Sequence, residues 1–166
     1  IYGVKANVSV RINPDIDAHT HKYVTTGLYE NKFGISQHEF DKLIDFLKKS
    51  THINFIGLHF HVGSQITRVD EVFALECRRV NDIVKYFEDN GLEVRNITLG
   101  GGLGVDYDDP DENPIPDFQT WFSTIAGNIR RRENQYVHVE PGRSMVAQCA
   151  TLVSRVVFVK SGETKN

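Results

Sequence analysis

Three stretches of this sequence hold side chains whose types and spacing suit chemistry. In VHVEPGRSM, residues 137–145, Glu140 closes an alternating run and Pro141-Gly142-Arg143 turns the chain directly behind it. A carboxylate at an enclosed polar mouth needs a cationic partner, and a guanidinium such as Arg143 can grip an anionic group through two parallel hydrogen bonds. A structural ion pair of Glu140 with Arg11 or Arg143 is the alternative. In HFHVGSQ, residues 59–65, His59 and His61 share one face of an extended chain, and Gly63-Ser64 turn it. Three readings compete for this pair. One is a satisfied core histidine, which suits His59, deeper in the strand. A second is a metal pair, since H-x-H at a strand end is a known ligand arrangement. The third makes His61 a flat ring stacked on a planar cofactor. A metal needs further ligands at neighbouring strand ends; these offer Arg11, glycines, Glu140 and His138, and an arginine opposes a cation. No metal site is expected. In LGGGLG, residues 99–104, Gly100, Gly101 and Gly102 let backbone N–H groups converge on an anion. The run lacks the G-x-G-x-x-G spacing of a dinucleotide fold, and by itself is also consistent with a flexible turn.

The elements that must carry these residues follow from periodicity. Residues 7–13, 55–61, 94–100 and 136–140 alternate as strands do. Between them lie helical patterns. The first starts at Ser36 with Glu39 three residues on, a capping box. The second runs over 72–87 and stops at Asn90-Gly91, and the third runs over 117–132 after an acidic, proline-rich loop. This alternation argues for parallel strands with helical crossovers. Val8, Val10 and Ile12, then Ile56, Leu58 and Phe60, Ile97 and Leu99, and Val137 and Val139 form an apolar face. Asn7, Ser9 and Arg11, with Phe55, Gly57, His59 and His61, and the third and fourth strands' Asn96, Thr98, Tyr136, His138 and Glu140, form the other. That second face grows polar toward the strands' C-terminal ends. An open sheet covered on both sides would be apolar on both, whereas barrel chemistry sits at the C-terminal mouth. A complete (β/α)8 barrel needs roughly 250 residues, so the four units here are expected to be its C-terminal half. Residues 1–149 are expected to form the half barrel. Residues 150–166, long and β-branched, are expected to begin a separate β domain.

The chain of 166 residues carries a net charge of −3 and 40% hydrophobic residues. The scattered positive charge argues against nucleic-acid binding, and Arg130-Arg131-Arg132 reads as the solvated end of a helix. No apolar run is long enough to span a membrane. Cys77 falls on the stripe Phe73-Cys77-Val80-Val84-Phe87, and Cys149 lies in VAQCATLV; both read as small core fillers. Neither belongs to a C-x-x-C pair, which fits the cytoplasm.

A phosphate nest, a stacking histidine and a carboxylate together describe a ring phosphorylated at one end and basic at the other. Pyridoxal phosphate has that shape, and Glu140 would keep its pyridine nitrogen protonated. Gly142 would add a backbone donor to the phosphate, and Arg143 would reach the phosphate or a substrate carboxylate. The motifs RINPD, NKFGI, GLHFHVGSQI, LGGGLGV and EPGRSMVA follow in order along the chain. In this respect the sequence resembles the diaminopimelate decarboxylases, pyridoxal-phosphate enzymes with an alanine-racemase-like barrel and a C-terminal β domain. The resemblance implies His61 and Glu140 as catalytic, His61 on the ring, Ser64 and Gly100 to Gly102 at the phosphate, Glu140 on the pyridine nitrogen, and Arg143 at substrate or phosphate. Arg11 matches an arginine near the ring. It implies decarboxylation of meso-2,6-diaminopimelate to L-lysine, the last step of lysine biosynthesis, by a homodimer acting on a small amino acid. Ornithine and arginine decarboxylases share the histidine, glycine run and glutamate, and carboxynorspermidine decarboxylases are more distant. Gln65 and Leu103-Gly104 look more like the diaminopimelate branch. The family's Schiff-base lysine lies upstream of these strands, and Lys32 fits a loop role, so this piece alone is expected to be inactive. A silent homologue that binds a partner protein, and a metal-dependent hydrolase, are the readings from other classes.

Overall fold

Parallel pairing is imposed by helical crossovers between apolar strands too far apart in sequence for hairpins. The computed structural model describes residues 3–16 and 33–160. The first two residues of NKFGI, Lys32 among them, therefore lie outside the described residues, as do residues 161–166. The strands are β1 (Ala6–Arg11), β2 (Ile53–His59), β3 (Asn96–Thr98) and β4 (Tyr136–His138). They form one four-stranded sheet in the order β1-β2-β3-β4, each pair parallel. A doubly wound sheet reverses its strand order at a switch point; this one never reverses, as in a barrel wall.

Between the strands run α1 (Phe40–Lys49), preceded by a 3-10 turn at Gln37–Glu39, then α2 (Val69–Asp89) and α3 (Phe118–Asn128); a last short helix, α4, spans Arg143–Val146. Phe40, Ile44 and Leu47 of α1 are buried at i, i+4, i+7 spacing. Phe87 of α2 meets Phe40 edge-on at 5.2 Å, and Phe73 packs on Trp121 of α3 at 5.6 Å. Leu58, Phe60, Ile97 and Leu99 join them in one core on the helix-covered face of the sheet. The end of α2 is a Schellman motif: Gly91, at φ +78°, donates to Glu88 O at 2.9 Å and Leu92 donates to Phe87 O at 3.0 Å.

Several expectations are corrected. Ser36 makes no side-chain cap; its carbonyl already accepts the Glu39 N–H at 2.9 Å, the donor a capping box would use. The third helix stops at Asn128 and not at 132. Asn81 of α2 donates to the Asn128 carbonyl at 2.9 Å and accepts the Arg130 N–H at 2.8 Å, which draws the chain out of the helix. Arg130 to Arg132 thus lie in a loop, where Arg132 pairs with Glu88 at 2.6 Å. In β2 the register jumps from Val8↔Phe55 to Ser9↔Gly57, so Ile56 is a bulge. The bulge reverses the facing of everything before it, and Phe55 packs on Phe87 on the helix side instead of sharing the face of His59. Cys77 is fully buried, but Cys149 is exposed and fills no core. Apart from these corrections, residues 150–160 are exposed and lie outside any strand or helix. No described helix is long and apolar enough to cross a membrane.

Candidate cofactor site at the C-terminal mouth

The face of the sheet away from the helices is lined by cross-strand polar pairs. Asn54 donates to Asn7 at 2.7 Å, Asn96 and His138 meet at 2.9 Å, and His59 Nε2 meets Glu140 Oε2 at 3.3 Å. Gly57 has no side chain because Asn96 fills its space; a Cβ there would lie 2.8 Å from the Asn96 Cβ and collide with the Asn96 carbonyl.

Beyond the strand ends, glycines let three chain segments close on one another. A Cβ at Gly100, already at φ +72°, would stand 2.6 Å from Phe60 O and 2.7 Å from His61 Nδ1. A Cβ at Gly101 would run into the Glu140 carbonyl, and one at Gly102 into the Gly63 carbonyl. The glycine run is therefore a packing requirement that brings His61, Ser64 and Glu140 to the same mouth. Two backbone contacts lock it: Glu140 N–H donates to Gly100 O at 2.6 Å, and Ile66 N–H donates to Gly102 O at 2.8 Å. The Gly101 N–H donates to His61 Nδ1 at 3.3 Å, which orients the imidazole plane.

Arg143 opens α4 behind Gly142, which sits at φ +55°. Its guanidinium donates to Ser64 Oγ at 3.2 Å and to Gln65 Oε1 at 3.3 Å, and lies 5.9 Å from the Tyr107 ring centre. His61, Ser64, Gly100, Gly101, Gly102, Glu140, Gly142 and Arg143 thus form one contiguous rim. Arg11, at the end of β1, stacks instead on Phe33 at 5.3 Å. Among the described residues no ion pair joins Glu140 to Arg11 or Arg143; Glu140 meets His59 instead. His59 is consequently a rim residue and not a core one, a role hinted at only by its sharing a face with His61. Gln65 and Tyr107 are the other residues whose place the sequence did not reveal, because their contacts join segments dozens of residues apart.

The donor set suits a phosphorylated, basic aromatic ring. It combines a carboxylate without an arginine partner among the described residues, an oriented imidazole, and a hydroxyl and guanidinium beside a glycine turn whose backbone a side chain would block. Comparison with known proteins agrees. Residues 2–147 match the family described as pyridoxal-dependent decarboxylase, pyridoxal binding domain. The chain is 48% identical over 160 residues to a diaminopimelate decarboxylase of Bacteroides thetaiotaomicron, covering 96% of this chain and 41% of that protein. Among solved structures it resembles the diaminopimelate decarboxylase of M. jannaschii, with a TM-score of 0.72 at 35% identity, covering 87% of this chain and 34% of that one. A mutant form of the Helicobacter pylori enzyme, complexed with L-lysine, gives a TM-score of 0.71 at 35% identity, covering 86% and 35%. The chain spans about two fifths of the length of the curated relatives it matches. Four parallel strands in barrel order, a glycine-locked mouth and a match over nearly the whole length have one meaning: this chain belongs to the pyridoxal-dependent decarboxylases, within their pyridoxal-binding domain.

Proposed function

We propose that the whole protein decarboxylates meso-2,6-diaminopimelate to L-lysine, with residues 1–149 as the second half of its barrel and residues 150–166 opening a β domain. The observation that carries this reading is Glu140, anchored through its backbone to Gly100 at the strand-end mouth and free of any arginine partner among the described residues. When bound, pyridoxal phosphate supplies an electron-accepting ring for the charge left by loss of carbon dioxide. The chain's own residues do the rest. Glu140 holds a proton at the pyridine nitrogen, and His59 steadies the carboxylate through its 3.3 Å contact. His61, fixed in orientation by Gly101, offers its flat face to the ring. Gly100 to Gly102, Gly142 and the Ser64 hydroxyl serve the phosphate. Arg143 serves the substrate's far carboxylate, the one that is not lost as carbon dioxide and stays in the product. Such preformed charges act without reorganising as the reaction proceeds.

The named relatives support the substrate. The two cysteines, one buried and one exposed and neither in a disulfide, support a cytoplasmic setting, and the family resemblance supports a homodimer. The test is Glu140→Gln in the whole protein. A neutral amide cannot keep the ring nitrogen protonated, so turnover should fall on the order of 100-fold or more, while the cofactor dissociation constant changes little. Equal losses in both would assign Glu140 a structural role and defeat the reading.

A further inference from the structure

Gln65 is one of two residues other than glycine held at positive φ among the described residues, at +60°. Ordinary side chains are disfavoured there, so something must hold the residue in place. Its side-chain amide answers this: Nε2 donates to Val105 O at 2.5 Å, and Oε1 accepts the Val105 N–H at 3.2 Å. Both backbone polar groups of a buried residue are thereby satisfied by one amide. The backbone on either side is already paired, through the isolated parallel bridge of Ile66 with Leu103 and the Gly104 N–H to Ile66 O bond at 2.9 Å. With Nε2 committed to a carbonyl, the amide cannot flip, and Oε1 is fixed as the acceptor facing Arg143 Nη1 at 3.3 Å. Ser64 Oγ takes the other terminal nitrogen at 3.2 Å, and the Tyr107 ring flanks the guanidinium.

We propose that Gln65 is a positioning residue for Arg143: it ties the turn after β2 to Val105 and holds the guanidinium in the orientation that receives the substrate's far carboxylate. A guanidinium binds a carboxylate well only when its plane is fixed. Ser64 alone would leave that plane free to rotate, and Gln65 supplies the second point. This inference rests on the reading of Arg143 as a substrate residue.

The experiment is a double-mutant cycle in the whole, cofactor-loaded protein, with Gln65→Met, Arg143→Lys and the pair. Gln65→Asn runs in parallel, since asparagine tolerates positive φ but is one methylene too short to bridge Val105 and Arg143. For both Gln65 variants the KM for diaminopimelate should rise roughly tenfold, the worth of a charge-assisted contact. Turnover number should stay nearly unchanged, while the binding of L-lysine, which keeps the far carboxylate after the other has left as carbon dioxide, should weaken by a similar factor. In the Arg143→Lys background the same Gln65 change should add little, because the residue it positions is gone. Where Arg143→Lys raises KM, additive effects in the cycle, or an unchanged KM in both Gln65 variants, overturn the inference. The underlying reading is tested separately by Arg143→Lys alone. If that change loosens the cofactor and spares KM, Arg143 serves the phosphate. The coupling with Gln65 is then sought in the cofactor dissociation constant, measured by equilibrium fluorescence, and its absence there too overturns the inference.

Discussion

Gly101 shows how a residue with no side chain can set the geometry of a charged one. The carbonyl of Glu140 occupies the volume a Cβ on Gly101 would need, and the Gly101 N–H orients His61. The neighbour is backbone and cannot swing aside. Gly101→Ala should therefore push the exit of β4 away, weakening cofactor retention and turnover together and costing about 1–3 kcal/mol of stability, as overpacked sites do. Gly127→Ala is the matched control, because a Cβ there meets nothing within 4 Å. Cofactor dissociation constants and melting temperatures of the two variants decide the matter; equal behaviour would show that the strand ends have slack. Histidine, glutamate and arginine could be picked out as candidates by type alone. That His59, Gln65 and Tyr107 are their neighbours could not be read, because a contact across dozens of residues leaves no local pattern.

Among the elements, α2 carries an oddity unrelated to the mouth. Glu76 lies on its buried face, fully inaccessible, and neither carboxyl oxygen has a hydrogen-bond partner among the described residues. Burial holds its pKa well above the usual carboxylate value of 4.5, so it folds as the neutral acid. Burial first, and then any charge on neighbouring Glu76, push the Cys77 thiol up to about 12 and make that sulfur inert. Below about pH 4.5 Glu76 is protonated both folded and unfolded. As pH rises past that value the unfolded chain releases the proton and the folded chain keeps it, so stability is lost until the raised folded pKa is passed. Glu76→Met keeps a long unbranched side chain and removes the buried polar group. It should stabilise the protein by roughly 1–3 kcal/mol near neutral pH, and the advantage should shrink as pH falls toward 4.5. Thermal unfolding of both proteins across pH measures this, and a difference independent of pH would refute it. The α2 terminus was readable from Asn90-Gly91 because that signal is local. The end of α3 was not, because Asn81 of a different helix ends it.

At the scale of the molecule, the sheet has two open edges among the described residues, since β1 pairs only with β2 and β4 only with β3. One face is covered by helices, and the other presents the polar pairs and the mouth to solvent. Barrel closure removes such edges by pairing them. This chain expressed alone should show no decarboxylase activity and should self-associate in sedimentation runs as concentration rises. Co-expression with the complementary half of the barrel should restore a monodisperse, cofactor-binding, active species. Decarboxylation by the chain alone would mean that the rim residues described above suffice for the reaction.

Hydrophobic alternation and glycine placement are local properties, and they determined the order of elements, the barrel-type sheet, the apolar face and the set His61, Gly100 to Gly102, Glu140 and Arg143 at one mouth. Five motifs in sequence order were enough to indicate the family. Only the tertiary structure decided which residue partners which. The bulge at Ile56 turned Phe55 onto the helices, because a one-residue insertion flips every side chain on one side of it. The pairing of Glu140 with His59, and of Arg143 with Ser64 and Gln65, was likewise settled in three dimensions. The reason is the same in each case: a side chain's type is written locally, whereas its hydrogen-bond partner depends on how distant backbone segments approach, and here three glycines set that approach.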